Sequence, residues 1–152
     1  MCFSLSSLFS CKGSVDELLL DAFYFHHDGL GSTVALTDST GNVVESYTYD
    51  VYGQPMFWDS YFNPQPSSLQ STRFLYAGRE YLAELGLYDY RNRVYSPTLG
   101  RFLQTDPLRF DAGDANLYRY CANNPVNYRD PNGEWVHIAI GGVVGGIIWP
   151  TG

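Results

Sequence analysis

The chain has 152 residues, a formal net charge of −7 and only 9 Lys and Arg residues, so it suits one domain or a piece of a larger one. Basic residues this few and scattered exclude a phosphate-tracking surface, and nucleic acid is not an expected partner. The composition, with 13 Tyr, 9 Phe and 3 Trp beside 15 Gly and 8 Pro, favours half-buried strands punctuated by turns. An all-β protein of many short strands is expected. Cys2, Cys11 and Cys121 form no CxxC and the histidines complete no cluster, so no metal or cofactor is implied and the cysteines read as free thiols.

Residues 1–22 read as an irregular lead-in. They lack the basic start of a signal peptide, and serines and Lys12 break the apolar run. Strand text begins at Phe23 to His27 and continues, after Asp28-Gly29-Leu30-Gly31, at Thr33 to Leu36. Asp38-Ser39-Thr40-Gly41-Asn42 has hairpin-turn composition, and Val43 to Tyr49 returns as a strand. Asp28-Gly29-Leu30-Gly31 and Asp50-Val51-Tyr52-Gly53 share a D-x-x-G frame, with Phe25 and Tyr47 at the same offset before it. Such a repeat predicts hairpins stacked into an extended sheet, each too marginal to stand alone.

Met56 to Thr72 reads as irregular, with Asn63-Pro64-Gln65-Pro66-Ser67-Ser68 as loop. Strand text resumes at Arg73 to Tyr81. A strand pair is predicted around Asn92, from Gly86 to Arg91 and from Arg93 to Tyr95. Ser96 to Gly100 is a turn into Arg101-Phe102-Leu103. Two Asp-Pro pairs follow, Asp106-Pro107 and Asp130-Pro131, framing the aromatic alternation Leu117-Tyr118-Arg119-Tyr120. From Trp135 to Trp149 the text is uncharged and glycine-rich, too short for the roughly 18 residues of a spanning helix. A buried strand or helix is the plain reading; close helix contact through its small-residue pairs and membrane contact by 135–149 are alternatives.

The D-x-x-G hairpins, YTYDVYGQP, the run from Gly78 to Pro107 and NLYRYCANNPVNYRDPNG together resemble the RHS/YD-repeat proteins, in particular their RHS-repeat-associated core. The resemblance covers roughly Tyr24 to Gly133. It implies hairpins spiralling into a hollow β shell, with a core that closes one end. It also implies a variable, often toxin-like, domain beyond the core and a secreted or cell-surface setting, mostly in bacteria. Three parts follow: the lead-in 1–22, repeats and core over 23–133, and an apolar tail 134–152 beginning a variable region. The remaining repeats and a C-terminal toxin-like domain are the implied partners, together with self-association through exposed strand edges.

The resemblance also implies chemistry. Asp106 and Asp130 match the aspartates of the family's two DP motifs, which in some bacterial members act as a self-cleaving aspartyl protease cutting after the second motif. Two close carboxylates share a proton, so that one can activate water while the other donates. Arg101, five residues ahead of Asp106, could hold one of them ionised, and the bond to look at is Glu134–Trp135. Two departures weigh against activity: Arg109 where the motif has Gly, and Glu134 where cleaving members carry Leu. The leading expectation is therefore a structural end-piece of the shell; self-cleavage and a surface or carbohydrate-recognition module are the alternatives.

Overall fold

A computed structural model describes residues 22–109, 114–134, 137–140 and 143–147. The described residues contain no α-helix and form three antiparallel sheets, each a meander in chain order. The first holds β1 (Tyr24–His27), β2 (Thr33–Thr37), β3 (Val43–Tyr49), β4 (Pro55–Asp59) and β5 (Pro64–Gln65). The second holds β6 (Glu80–Leu82), β7 (Leu87–Asp89), β8 (Val94–Ser96) and β9 (Arg101–Phe102). The third pairs β10 (Tyr128–Arg129) with β11 (His137–Ile140), and β11 with β12 (Val143–Ile147). The all-β expectation is met.

One turn joins all the strands of the first sheet. At Asp28, Asp38, Asp50 and Asp59, the side-chain Oδ1 accepts the N–H groups two and four residues on, at 2.8–3.0 Å. In each copy the aspartate's own carbonyl accepts the N–H three residues on, and its N–H donates to the carbonyl four residues on. The turn thus satisfies four of its backbone N–H groups locally, which is the reason Asp recurs there. The third residue after the Asp sits in the left-handed region: Gly31, Gly41 and Gly53 in three copies, and Phe62 at φ 60 in the fourth.

The stretch from Met56 to Thr72, expected to be irregular, contains most of β4 and all of β5. Its prolines disguised them. Pro55 opens β4, and Pro64 lies on β5 at the sheet edge, the two places where a missing N–H breaks no ladder. The reverse holds for Leu117-Tyr118-Arg119-Tyr120, which alternates like a strand but makes only an isolated bridge, Arg119 to Arg101. The apolar tail runs as strands over 137–140 and 143–147, so the helical reading does not hold there. Among the described residues no helix is long and apolar enough to cross a membrane. Residues 1–21, with Cys2 and Cys11, lie outside the described residues.

The core is built largely of tyrosine. Tyr88, Tyr90, Tyr95 and Tyr120 are fully buried, together with Leu36, Leu75 and Phe102. A buried phenol needs a hydrogen-bond partner for its hydroxyl, and three bonds serve the four: Tyr88 donates to the Gly53 carbonyl (2.9 Å), Tyr95 to that of Tyr52 (2.8 Å), and Tyr90 and Tyr120 share one bond of 2.9 Å. Burial drives these phenols far above their ordinary pKa. Two of these bonds run from the second sheet to the Asp50 turn of the first, where a Cβ on Gly53 would meet the Tyr76 ring at 2.4 Å.

A second buried polar knot fixes the connection between those sheets. Glu45 is wholly buried on β3 and accepts from the Tyr47 hydroxyl, Ser68 Oγ and the N–H groups of Leu69 and Gln70 at 2.9–3.2 Å. One carboxylate thereby orders the loop after β5. Burial pushes the Tyr47 phenol up to about 12.

Candidate functional site: two aspartates on one arginine

The two Asp-Pro motifs repeat the turn logic of the first sheet. Asp106 Oδ1 accepts the Leu108 N–H (2.9 Å), and its carbonyl accepts that of Arg109 (3.0 Å). Arg109, where the related motif has glycine, therefore takes the left-handed conformation at φ 51, and the turn forms despite the side chain. Asp130 Oδ1 gathers three N–H groups, from Asn132 (3.3 Å), Gly133 (2.8 Å) and Glu134 (3.1 Å). Gly133 has φ 70, and a Cβ there would lie 3.0 Å from the Tyr90 carbonyl oxygen.

With one oxygen of each carboxylate held by its own turn, the other faces Arg93. The Arg93 guanidinium lies 2.9 Å from Asp106 Oδ2 through Nη1 and 3.2 Å from Asp130 Oδ2 through Nη2. Its Nε donates to the Gly133 carbonyl at 2.6 Å, Nη1 reaches the Leu117 carbonyl at 3.4 Å, and the Phe102 ring stacks 3.7 Å from Cζ. The side chains are 3%, 11% and 2% exposed for Arg93, Asp106 and Asp130, so all three are removed from water. Only an arginine meets this demand, because its planar fork serves two carboxylates and a carbonyl at once. Burial raises the Asp130 carboxyl above its usual range, opposed by the Glu134 N–H and then by the Arg93 charge.

The structure thus brings Asp106 and Asp130 together, and Arg93 is the residue that joins them. Arg101 is placed elsewhere: it is exposed on β9, opposite Ser96, and among the described residues it makes no ion pair. Sequence reasoning missed Arg93, 37 residues before Asp130 and in no motif with it. A signal existed, because Arg93 is in phase with the core residue Tyr95, whereas Arg101 is out of phase with buried Phe102. Glu134 is half-buried and donates its N–H to Asp130; Trp135 lies outside the described residues.

The histidines of β1 make ordinary strand contacts, His26 with Thr37 (3.0 Å) and His27 with Thr33 (3.5 Å). Among the described residues no group of His, Cys, Asp and Glu could hold a metal ion. Cys121 is a buried free thiol whose pKa burial raises.

Comparison with known proteins accounts for the repeated turns. The family model described as Teneurin YD-shell matches residues 17–126. Among curated proteins, the tRNA nuclease WapA of Bacillus subtilis (strain 168) is 36% identical over 121 residues, covering 78% of this chain and 5% of its own length. Toxin subunit YenC2 of Yersinia entomophaga is 34% identical over 132 residues, covering 84% of this chain and 13% of its own. The crystal structure of TcdB2-TccC3-Cdc42 superposes with a TM-score of 0.65 at 32% identity, over 74% of this chain and 5% of that one. The chain therefore spans only about a twentieth to an eighth of the length of these relatives. The Asp-turned hairpins and these matches lead to one assignment: the chain belongs to the Teneurin YD-shell family, as a segment of RHS/YD-repeat type.

Proposed function

We propose that the chain is a structural end-piece of an RHS-type β shell that encloses or presents a C-terminal, toxin-like domain. The observation that carries this reading is the first sheet. Its strands follow chain order through one recurring turn, and among the described residues β1 is an edge strand to which further hairpins of the same kind can add. The names of the relatives, a nuclease and a toxin subunit, support a toxin-like domain as the downstream partner.

A protease-protection experiment tests it. A folded reporter is fused after Gly152, once to this chain and once to a version extended upstream by further Asp-turned hairpins. Protection of the reporter only in the extended protein supports the reading. Equal digestion in both refutes it.

A second reading, self-cleavage at the Glu134–Trp135 bond by Asp106 and Asp130, is favoured by one observation: Asp130 holds the N–H of Glu134, next to that bond. Arg93 weighs the other way, since its guanidinium stands between the two carboxylates and each is paired to it rather than to the other. Intact mass decides. A fragment ending at Glu134 that disappears in Asp106→Asn and Asp130→Asn supports cleavage; a full-length mass in all three proteins rejects it.

A further inference from the structure

A cleft of about 400 Å³ opens on the side of the molecule that carries Arg101, and the acid pair does not line it. Its walls come from the Asp50 turn, the Ser96-to-Gly100 turn and the segment around Arg119. Asn116, Asn123 and Tyr52 contribute further polar groups, and Asp50, Arg101 and Arg119 are its charged side chains. The Asp50 carboxylate is already engaged by the N–H groups of Tyr52 and Gln54, at 2.9 and 2.8 Å.

The two arginines stand in an unusual relation. Arg101 and Arg119 are partners in an isolated antiparallel bridge, held by the Phe102 N–H on the Tyr118 carbonyl at 3.0 Å. Directly opposed residues put their side chains on one face about 5 Å apart, and like charges in that position repel. Of the two, only Arg119 has an ion-pair partner among the described residues. Arg101 has no anionic partner among the described residues. Arg119 has Asp114 at 3.3 Å from Nε, yet that Nε–H is buried without a hydrogen-bond acceptor. Two guanidinium groups on the lining of one open cleft, beside two amides, match the geometry of an oxyanion.

We propose that Arg101 and Arg119 form an oxyanion-binding site that takes a small phosphate- or carboxylate-bearing ligand. The volume suits a compact monoester or diacid. The ligand supplies the anionic partner that Arg101 lacks among the described residues.

The test is an NMR titration of the full chain with inorganic phosphate and, separately, malonate, with ionic strength held constant by sodium chloride. Expected are saturable shifts at Arg101, Arg119, Asn116 and Asn123. Arg101→Gln and Arg119→Gln should each weaken binding at least tenfold, while Arg91→Gln, outside the cleft, leaves it unchanged. Saturation by phosphate alone, by malonate alone or by both supports the proposal and distinguishes the ligand class. Shifts that drift linearly with either anion, or that persist at equal strength in the two cleft variants, overturn it.

Discussion

Replacing Arg93 by Met keeps most of the side chain's length and apolar stem while removing the charge between Asp106 and Asp130. Both carboxylates then remain in a site whose members are at most 11% exposed. Breaking a buried pair by removing one partner costs about 3–5 kcal/mol, and the lost stacking on Phe102, at 3.7 Å, adds up to about 2 kcal/mol. Taking a loss of about 4 kcal/mol and a urea slope of about 2 kcal/mol per molar, the unfolding midpoint falls by roughly 2 M. The variant's deficit should also shrink on acidification, because protonation removes the uncompensated charges, and adding Asp106→Asn and Asp130→Asn should recover part of the loss. Urea melts followed by tyrosine fluorescence at pH 7 and pH 5 measure all of this. A midpoint shift below about 0.5 M, or a deficit that does not depend on pH, would refute the view that the three side chains act as one electrostatic unit.

Further expectations follow from the turns and the buried loop tether. Gly133→Ala places a methyl 3.0 Å from the Tyr90 oxygen and 3.2 Å from the Arg93 nitrogen at φ 70, and should cost about 2 kcal/mol or more in the same melts. Arg109→Gly removes a left-handed strain of about 1–2 kcal/mol but loosens the unfolded chain, for a net gain of roughly 0.5 kcal/mol. Glu45→Ala strips four donors of their acceptor, and a loss of about 3 kcal/mol is expected, together with new proteolytic cuts between Ser67 and Thr72. Carboxyl NMR should find Asp38 lowered to about 2, chiefly by the Thr40 hydroxyl, and Asp130 above the ordinary range of an aspartate. The two act with opposite sign. Asp38 stabilises the fold above about 4 and loses that contribution as pH falls towards 2, whereas the contribution of Asp130 is present at low pH and is lost as pH rises through its raised value.

Much of the first sheet was legible because its information is local. The turn at Asp28 is specified by residues within four positions of it, and the alternation from Val43 to Tyr49 is uninterrupted. The strands β4 and β5 were hidden because proline signals a loop unless one knows which strand lies at the edge. The site was half legible. Asp106 and Asp130 could be named, since each lies in a local turn motif, but the cation joining them could not be found by proximity in the chain. Arg101 is closer to Asp106 in sequence than Arg93 is, yet the pleat turns Arg101 outward and Arg93 inward, and a count of residues from the motif ignores that parity.

The Asp turns and the arginine clamp also differ in when they can form. A hairpin closed by a four-residue turn assembles in about 1–10 μs, while the Arg93–Asp130 contact must first close a loop of 37 residues. The clamp therefore belongs to the late side of the folding barrier. Its strength should govern how fast the molecule comes apart, leaving the rate at which the hairpins assemble nearly untouched. A chain emerging from the ribosome would build its repeating sheet early and fasten it last, when Asp130 arrives.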